Sequence, residues 1–154
     1  MLMIRQRLEG THSPDARLVL PFATRSRSRF KAYLDSGEPV GVMIARGQVL
    51  RGGDLLLAAD GRVIAVAAAP ELVTTARTRD ARLLARAAFH LGNRHVALEL
   101  GTRWLRYSHD HVLDAMLGGL GLRLTVEEQP FEPEAGAYHG HAHGGAHVHS
   151  SGGA

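Results

Sequence analysis

Five of the ten histidines in this 154-residue chain fall in its last sixteen residues, at His139, His141, His143, His147 and His149. Neutral imidazole is a borderline ligand suited to nickel, copper and zinc, so a closely spaced histidine tract reads as divalent-metal binding. Gly, Ala and Val interrupt the tract, unlike the uninterrupted run of a purification tag. It says little about which metal. Two more histidines flank an acid in His109-Asp110-His111. On a formed helix, residues two apart point about 200° apart and could not share an ion. At a strand-to-helix junction, where the flanking pattern puts them, they could; the plainer reading is two polar residues around a helix cap. His95 follows Gly92-Asn93-Arg94 and reads as opening a strand, where a lone histidine is more often a surface residue than a ligand. His90 lies at the margin of a helical apolar face, and His12 has uninformative surroundings.

No cysteine is present, which excludes disulfides, zinc ribbons, iron–sulfur clusters and thiol catalysis. Any metal must rest on imidazole, carboxylate or backbone groups. The chain lacks G-x-S-x-G, a P-loop, H-E-x-x-H and a dinucleotide fingerprint, so no enzyme is expected. No segment carries the aromatic-rich pattern on which RNA bases stack, so nucleic acid is not an expected partner.

Two kinds of element must position these histidines. In the first half, Leu18–Leu20, Val40–Ala45, Leu55–Ala58 and Val63–Ala67 are short apolar runs separated by turn signals, Asp60-Gly61 being a hairpin signal. They predict an all-β small sandwich or barrel over residues 1–70. From residue 71 the pattern changes. Glu71–Arg79 alternates as a strand, and Asp80 caps a helix with Leu83, Leu84, Ala87, Ala88 and Leu91 on one face, which Gly92-Asn93 stops. His95–Leu100 and Trp104–Tyr107 read as strands. Val112, Leu113, Met116, Leu117 and Leu120 form a second helical face, with Ser108 as cap and Asp110 suiting the helix dipole. Leu122–Val126 is a last strand. The order β-α-β-β-α-β predicts a ferredoxin-like domain over residues 71–135, hence an α+β chain. Residues 136–154, rich in Gly, Ala and His with little to bury, are expected to be a disordered tail.

Ten Arg or Lys face six acids in residues 1–70, against eight and nine beyond. The excess centres on Arg25-Ser-Arg27-Ser-Arg29-Phe-Lys31, which could meet phosphate or an acidic protein, although such clusters usually only keep a surface wet. No apolar run nears the roughly 20 residues that span a bilayer. The start, MLMIRQRLEG, lacks a signal-peptide core, so a cytoplasmic location without membrane contact is expected.

Taken together, His90-Leu-Gly-Asn-Arg-His95, Leu105-Arg-Tyr107, His109-Asp-His-Val-Leu113, Met116-Leu117 and Gln129–Tyr138 before a His-rich end resemble the UreE family of urease accessory proteins. Leu50-Arg-Gly-Gly-Asp54-Leu55 with Asp60-Gly61-Arg62 is similar to that family's β domain, so the resemblance covers nearly the whole chain. It implies a carrier of Ni(II) as cargo, with Zn(II) or Cu(II) able to use the same donors. Delivery would run to the apo-urease accessory complex through the GTPase UreG. It also implies a homodimer through the second domain, which metal could link into tetramers. His95 would supply one ligand from each subunit to an interface site, His109 and His111 a peripheral site, and the tail histidines extra capacity. Ser108 stands where some relatives carry another histidine, and the tail is short. A reading from another class is a general divalent-metal buffer, or an adaptor that holds peptides or urease subunits through the basic β domain.

Overall fold

The computed structural model describes residues 1–136. The expected disordered segment, with all five tail histidines, falls beyond them save for its first residue, Gly136.

The first half is one curled six-stranded sheet. Its strands are β1 (Leu2–Leu8), β2 (Ala16–Leu20), β3 (Arg29–Tyr33), β4 (Pro39–Met43), β5 (Leu55–Ala58) and β6 (Val63–Ala68), in the spatial order β2-β6-β5-β1-β4-β3. Alternate residues Leu18 and Leu20, Val40 and Val42, Leu56 and Ala58, and Ile64 and Val66 point inward and form one apolar cluster with Ile4, Phe30, Leu34 and Leu50. The sheet nearly closes, because Asp35 N–H donates to the Arg17 carbonyl at 2.9 Å, joining the two edge strands. Asp60-Gly61 makes the expected turn between β5 and β6, with Gly61 at φ +91°.

Three features of this half depart from the sequence reading. β1 was hidden because Arg5, Gln6 and Arg7 break the apolar alternation, and its pairing with β5 shifts register between Ile4 and Gln6. A one-turn helix, α1 (Phe22–Arg25), interrupts the all-β pattern after Pro21. The basic run does not stay together at the surface: Arg27, Arg29 and Lys31 are exposed, whereas Arg25 is fully buried.

The second half runs β7 (Pro70–Arg77), α2 (Ala81–Asn93), β8 (Glu99–Gly101), β9 (Trp104–Ser108), α3 (His111–Leu120) and β10 (Arg123–Pro130). Its four strands lie in the order β10-β7-β9-β8, every neighbouring pair antiparallel. Both helices cover one face, burying Ala87, Leu91, Leu113 and Leu117 against Ala76, Leu105 and Tyr107. The architecture is therefore α+β, with two cores. Asp80 caps α2 by accepting from the N–H groups of Arg82 and Leu83, as expected. The cap of α3 differs from the expectation. Ser108 is held as the last residue of β9, opposite Val73, so Asp110 takes the cap and accepts from Val112 and Leu113.

Arg25 ties the two halves together. Its Nε donates to the Leu20 carbonyl at 3.0 Å and Nη1 to the Leu50 carbonyl at 3.2 Å, while the same guanidinium reaches Glu132 and the Phe131 carbonyl. Phe131 is buried edge-on to Phe22. Desolvation by burial lowers the Arg25 pKa, and Glu132 and Glu71 oppose that shift.

Candidate metal centre

β9 ends beside β7, and His109 extends that pairing by one bond, its N–H donating to the Leu72 carbonyl at 3.2 Å. Asp110 then turns the chain into α3, whose first residue is His111. The break between strand and helix defeats the 200° separation of a continuous helix, and the two imidazoles meet edge-to-face with centroids 5.1 Å apart. The junction does bring the pair together.

Behind His109 lies a polar network that the sequence reading missed. Its Nδ1 is 3.1 Å from Asp114 Oδ2 and 3.2 Å from Thr74 Oγ1. Asp114 Oδ1 accepts from Tyr107 Oη at 2.7 Å and from Thr74 Oγ1 at 2.8 Å. Burial pushes the Tyr107 pKa upward, and the bond to Asp114 adds to the shift, so the phenol stays protonated and donates. With the Thr74 proton committed to Asp114, Nδ1 of a neutral His109 must be the protonated nitrogen, and Nε2 carries the free lone pair. A carboxylate behind one ring nitrogen and an open pair on the other is the usual support for a metal-ligating histidine. Asp114 lies one turn into α3 and gave no signal of its own, because the strand that carries Thr74 is forty residues away.

His95 does not open a strand. Helix α2 runs through Gly92 to Asn93, Arg94 is its C-cap, and His95 follows at φ +57°. The His95 N–H donates to the Gly92 carbonyl at 3.0 Å and the Val96 N–H to the Leu91 carbonyl at 3.2 Å. These two bonds are a complete Schellman closure with histidine at the left-handed position normally given to glycine. The imidazole is exposed, and among the described residues it has no hydrogen-bond partner. β8 is correspondingly short and begins only at Glu99. At the same end of α2, Phe89 is 63% exposed, and His90 is half-buried with its ring edge-on to Phe89 at 5.4 Å.

Among the described residues no three His, Asp or Glu side chains converge as a ligand set within one chain. His109 and His111 are brought together; His95 stands alone. His139, His141, His143, His147 and His149 lie outside the described residues.

Residues 4–69 match the family model described as UreE urease accessory protein, N-terminal domain, and residues 71–153 match the corresponding C-terminal domain. The chain is 55% identical over 140 residues to the urease accessory protein UreE of Alkalilimnicola ehrlichii, covering 91% of this chain and 86% of that protein. Its identity to the protein of the same description from Pseudomonas putida is 50% over 147 residues, covering 94% and 89%. For that of Azotobacter vinelandii it is 49% over 154 residues, covering 99% and 90%.

Proposed function

The chain belongs to the UreE family of urease accessory proteins, with a role in urease maturation and not in catalysis, and from that premise we propose that it carries Ni(II) to the urease assembly complex. The observation that supports a carrier most directly is His95 at φ +57°. A β-carbon in the left-handed region costs about 1–2 kcal/mol, and a glycine would remove that cost. Strain of this kind is retained where the side chain is needed. An exposed imidazole on a rigid helix end supplies one ligand per chain, and a two-fold axis through it supplies the second. The ion then keeps open coordination positions, as a carrier that must release its cargo requires.

In this reading the protein is a cytoplasmic homodimer paired through its second domain, spanning residues 71–135, beside a β domain of residues 1–70. The exposed Phe89 beside the His95 end supports that pairing, since burying such a ring contributes up to about 1.5–3 kcal/mol per subunit. The order β10-β7-β9-β8 with two helices on one face is the ground for reading the second domain as ferredoxin-like. His109 and His111 form a peripheral site, His139, His141, His143, His147 and His149 add capacity, and zinc or copper can occupy the same donors. The GTPase UreG and the apo-urease accessory complex are the proposed partners.

Equilibrium dialysis with nickel tests the assignment. Truncation after Tyr138 should lower the number of ions bound while keeping about one tight site per dimer, as one ligand pair on an axis requires. His95→Ala should lose that tight site and the support of urease activation, with the weaker binding intact. If His95→Ala keeps its tightest site and the truncated chain loses it, the carrier site is in the tail. A pull-down of the assembly proteins that is equal with and without nickel would favour an adaptor.

A further inference from the structure

At the end of the second domain opposite His95, His109 and His111, an open cleft of about 560 Å³ is lined by Arg77, Arg79, Arg103 and Arg123, with Thr78, Thr102, Trp104 and Gly121. The separation follows from the topology. β7 passes His109 at Leu72 and delivers Arg77 five residues later, about 17 Å away at strand rise. Likewise α2 begins next to the cleft at Ala81 and ends at the His95 turn. The cleft therefore lies apart from both the His109–His111 pair and His95.

No acid lines it, although acids nearly balance the basic residues over the chain as a whole. Arg77 makes a long contact of 3.8 Å with Glu127, whereas Arg79, Arg103 and Arg123 make no salt bridge among the described residues. Arg103 is held in place by an unusual backbone, at φ +64°, its carbonyl accepting from the Thr78 N–H at 3.1 Å. Thr78 Oγ1 accepts from the Asp80 N–H, which leaves its hydroxyl proton to donate.

We propose that this cleft binds an oligophosphate chain, carried by a nucleotide or free in solution. Guanidinium groups present paired N–H donors that match phosphate oxygens bidentately, and every charged residue lining the cleft is arginine. Trp104 argues against an apolar anchor. The indole lies on Gly101, where a β-carbon would clash with the ring, and the Arg106 guanidinium sits 4.6 Å from its centroid. The ring is already engaged by Arg106, and the four arginines are left to supply the recognition.

Trp104 is the only tryptophan, so its fluorescence reports the cleft. The metal-free full chain should be titrated with tripolyphosphate, ATP, and polyglutamate of matched charge. A saturable change half-complete below about 1 mM is expected with both phosphates. Equal affinity for the two assigns the phosphate chain alone; tighter ATP adds a contact outside the cleft, and either supports the proposal. Arg103→Ser with Arg123→Ser should weaken binding at least tenfold, whereas Arg27→Ser with Arg29→Ser, an equal charge loss elsewhere, should leave it unchanged. If the first pair fails to fold, Arg79→Ser, in the loop before α2, should weaken binding severalfold. Polyglutamate binding as tightly as tripolyphosphate, or the same loss from both double variants, overturns the assignment.

Discussion

His109 is backed by Asp114, with Nδ1 3.1 Å from Oδ2 across the junction between β9 and α3. The carboxylate itself is fixed by Tyr107 and Thr74, so the ring orientation is set by three residues from three elements. Asp114→Ala is therefore expected to weaken metal binding by the His109 and His111 pair about 10- to 100-fold. Calorimetric titration on a His95→Ala, tail-truncated background reads this pair alone. Nitrogen NMR of His109 should show loss of the single tautomer, and an unchanged tautomer with unchanged affinity would refute the role given to Asp114.

Replacing His95 should separate stability from function. His95→Gly relieves the left-handed backbone, about 1–2 kcal/mol, against about 0.5–1 kcal/mol of added chain entropy in the unfolded state. The net expectation is stabilisation by about 0.5–1 kcal/mol together with loss of tight nickel binding. His95→Val, with a branched β-carbon at the same φ, should be destabilised. Denaturant melts of the three proteins check the order, and a His95→Gly chain less stable than its parent would contradict it.

Loss of Arg25 should be among the most damaging single changes. Arg25→Leu takes the side-chain donor from the carbonyls of Leu50 and Phe131 and leaves the Leu20 carbonyl and Glu132 with only the N–H groups of Ala69 and Gly52, at a cost of about 3–5 kcal/mol. Arg25→Lys cannot reproduce the fork and should recover only part of it. Because these bonds join the two cores, limited proteolysis should reveal cleavage between residues 68 and 70 in the variant before either core unfolds. Coincident unfolding of both halves in variant and parent alike would remove the bridging role.

Tyr107 predicts an alkaline limit. Its pKa in the folded chain is raised above 10, the ordinary value, so the folded state holds the proton more tightly than the unfolded one. The resulting stability is fully present below pH 10 and drains away as pH rises through the folded value. Tyr107→Phe should be less stable at neutral pH by about 1–2 kcal/mol, through the lost bond to Asp114, yet lose less stability than its parent above pH 10. Thermal melts from pH 8 to 11 decide this.

Local patterns in the sequence were enough for much of the second half. The apolar spacing of Leu83, Ala87 and Leu91 and the side chain of Asp80 are contained within α2 itself, so they could be read without any partner. The alternation in β2, β5 and β6 was legible for the same reason, since each strand has one face toward a single core. The nearness of His109 and His111 also followed from a local break between strand and helix. Distant pairings decided the rest. Ser108 lost the cap of α3 because Val73 holds it in a strand, and β1 forms because β4 and β5 offer partners on both sides. Arg25 looked like one more charge in a basic run, and only Glu132 and Phe131, more than a hundred residues on, draw it inside. His95 looked like a strand residue because the Leu91 and Gly92 carbonyls, which close the helix over it, are backbone atoms with no residue-type signature. Residue types fix which faces are apolar and which groups can ligate, but a hydrogen bond across the fold is decided by chain geometry, which the local pattern does not encode.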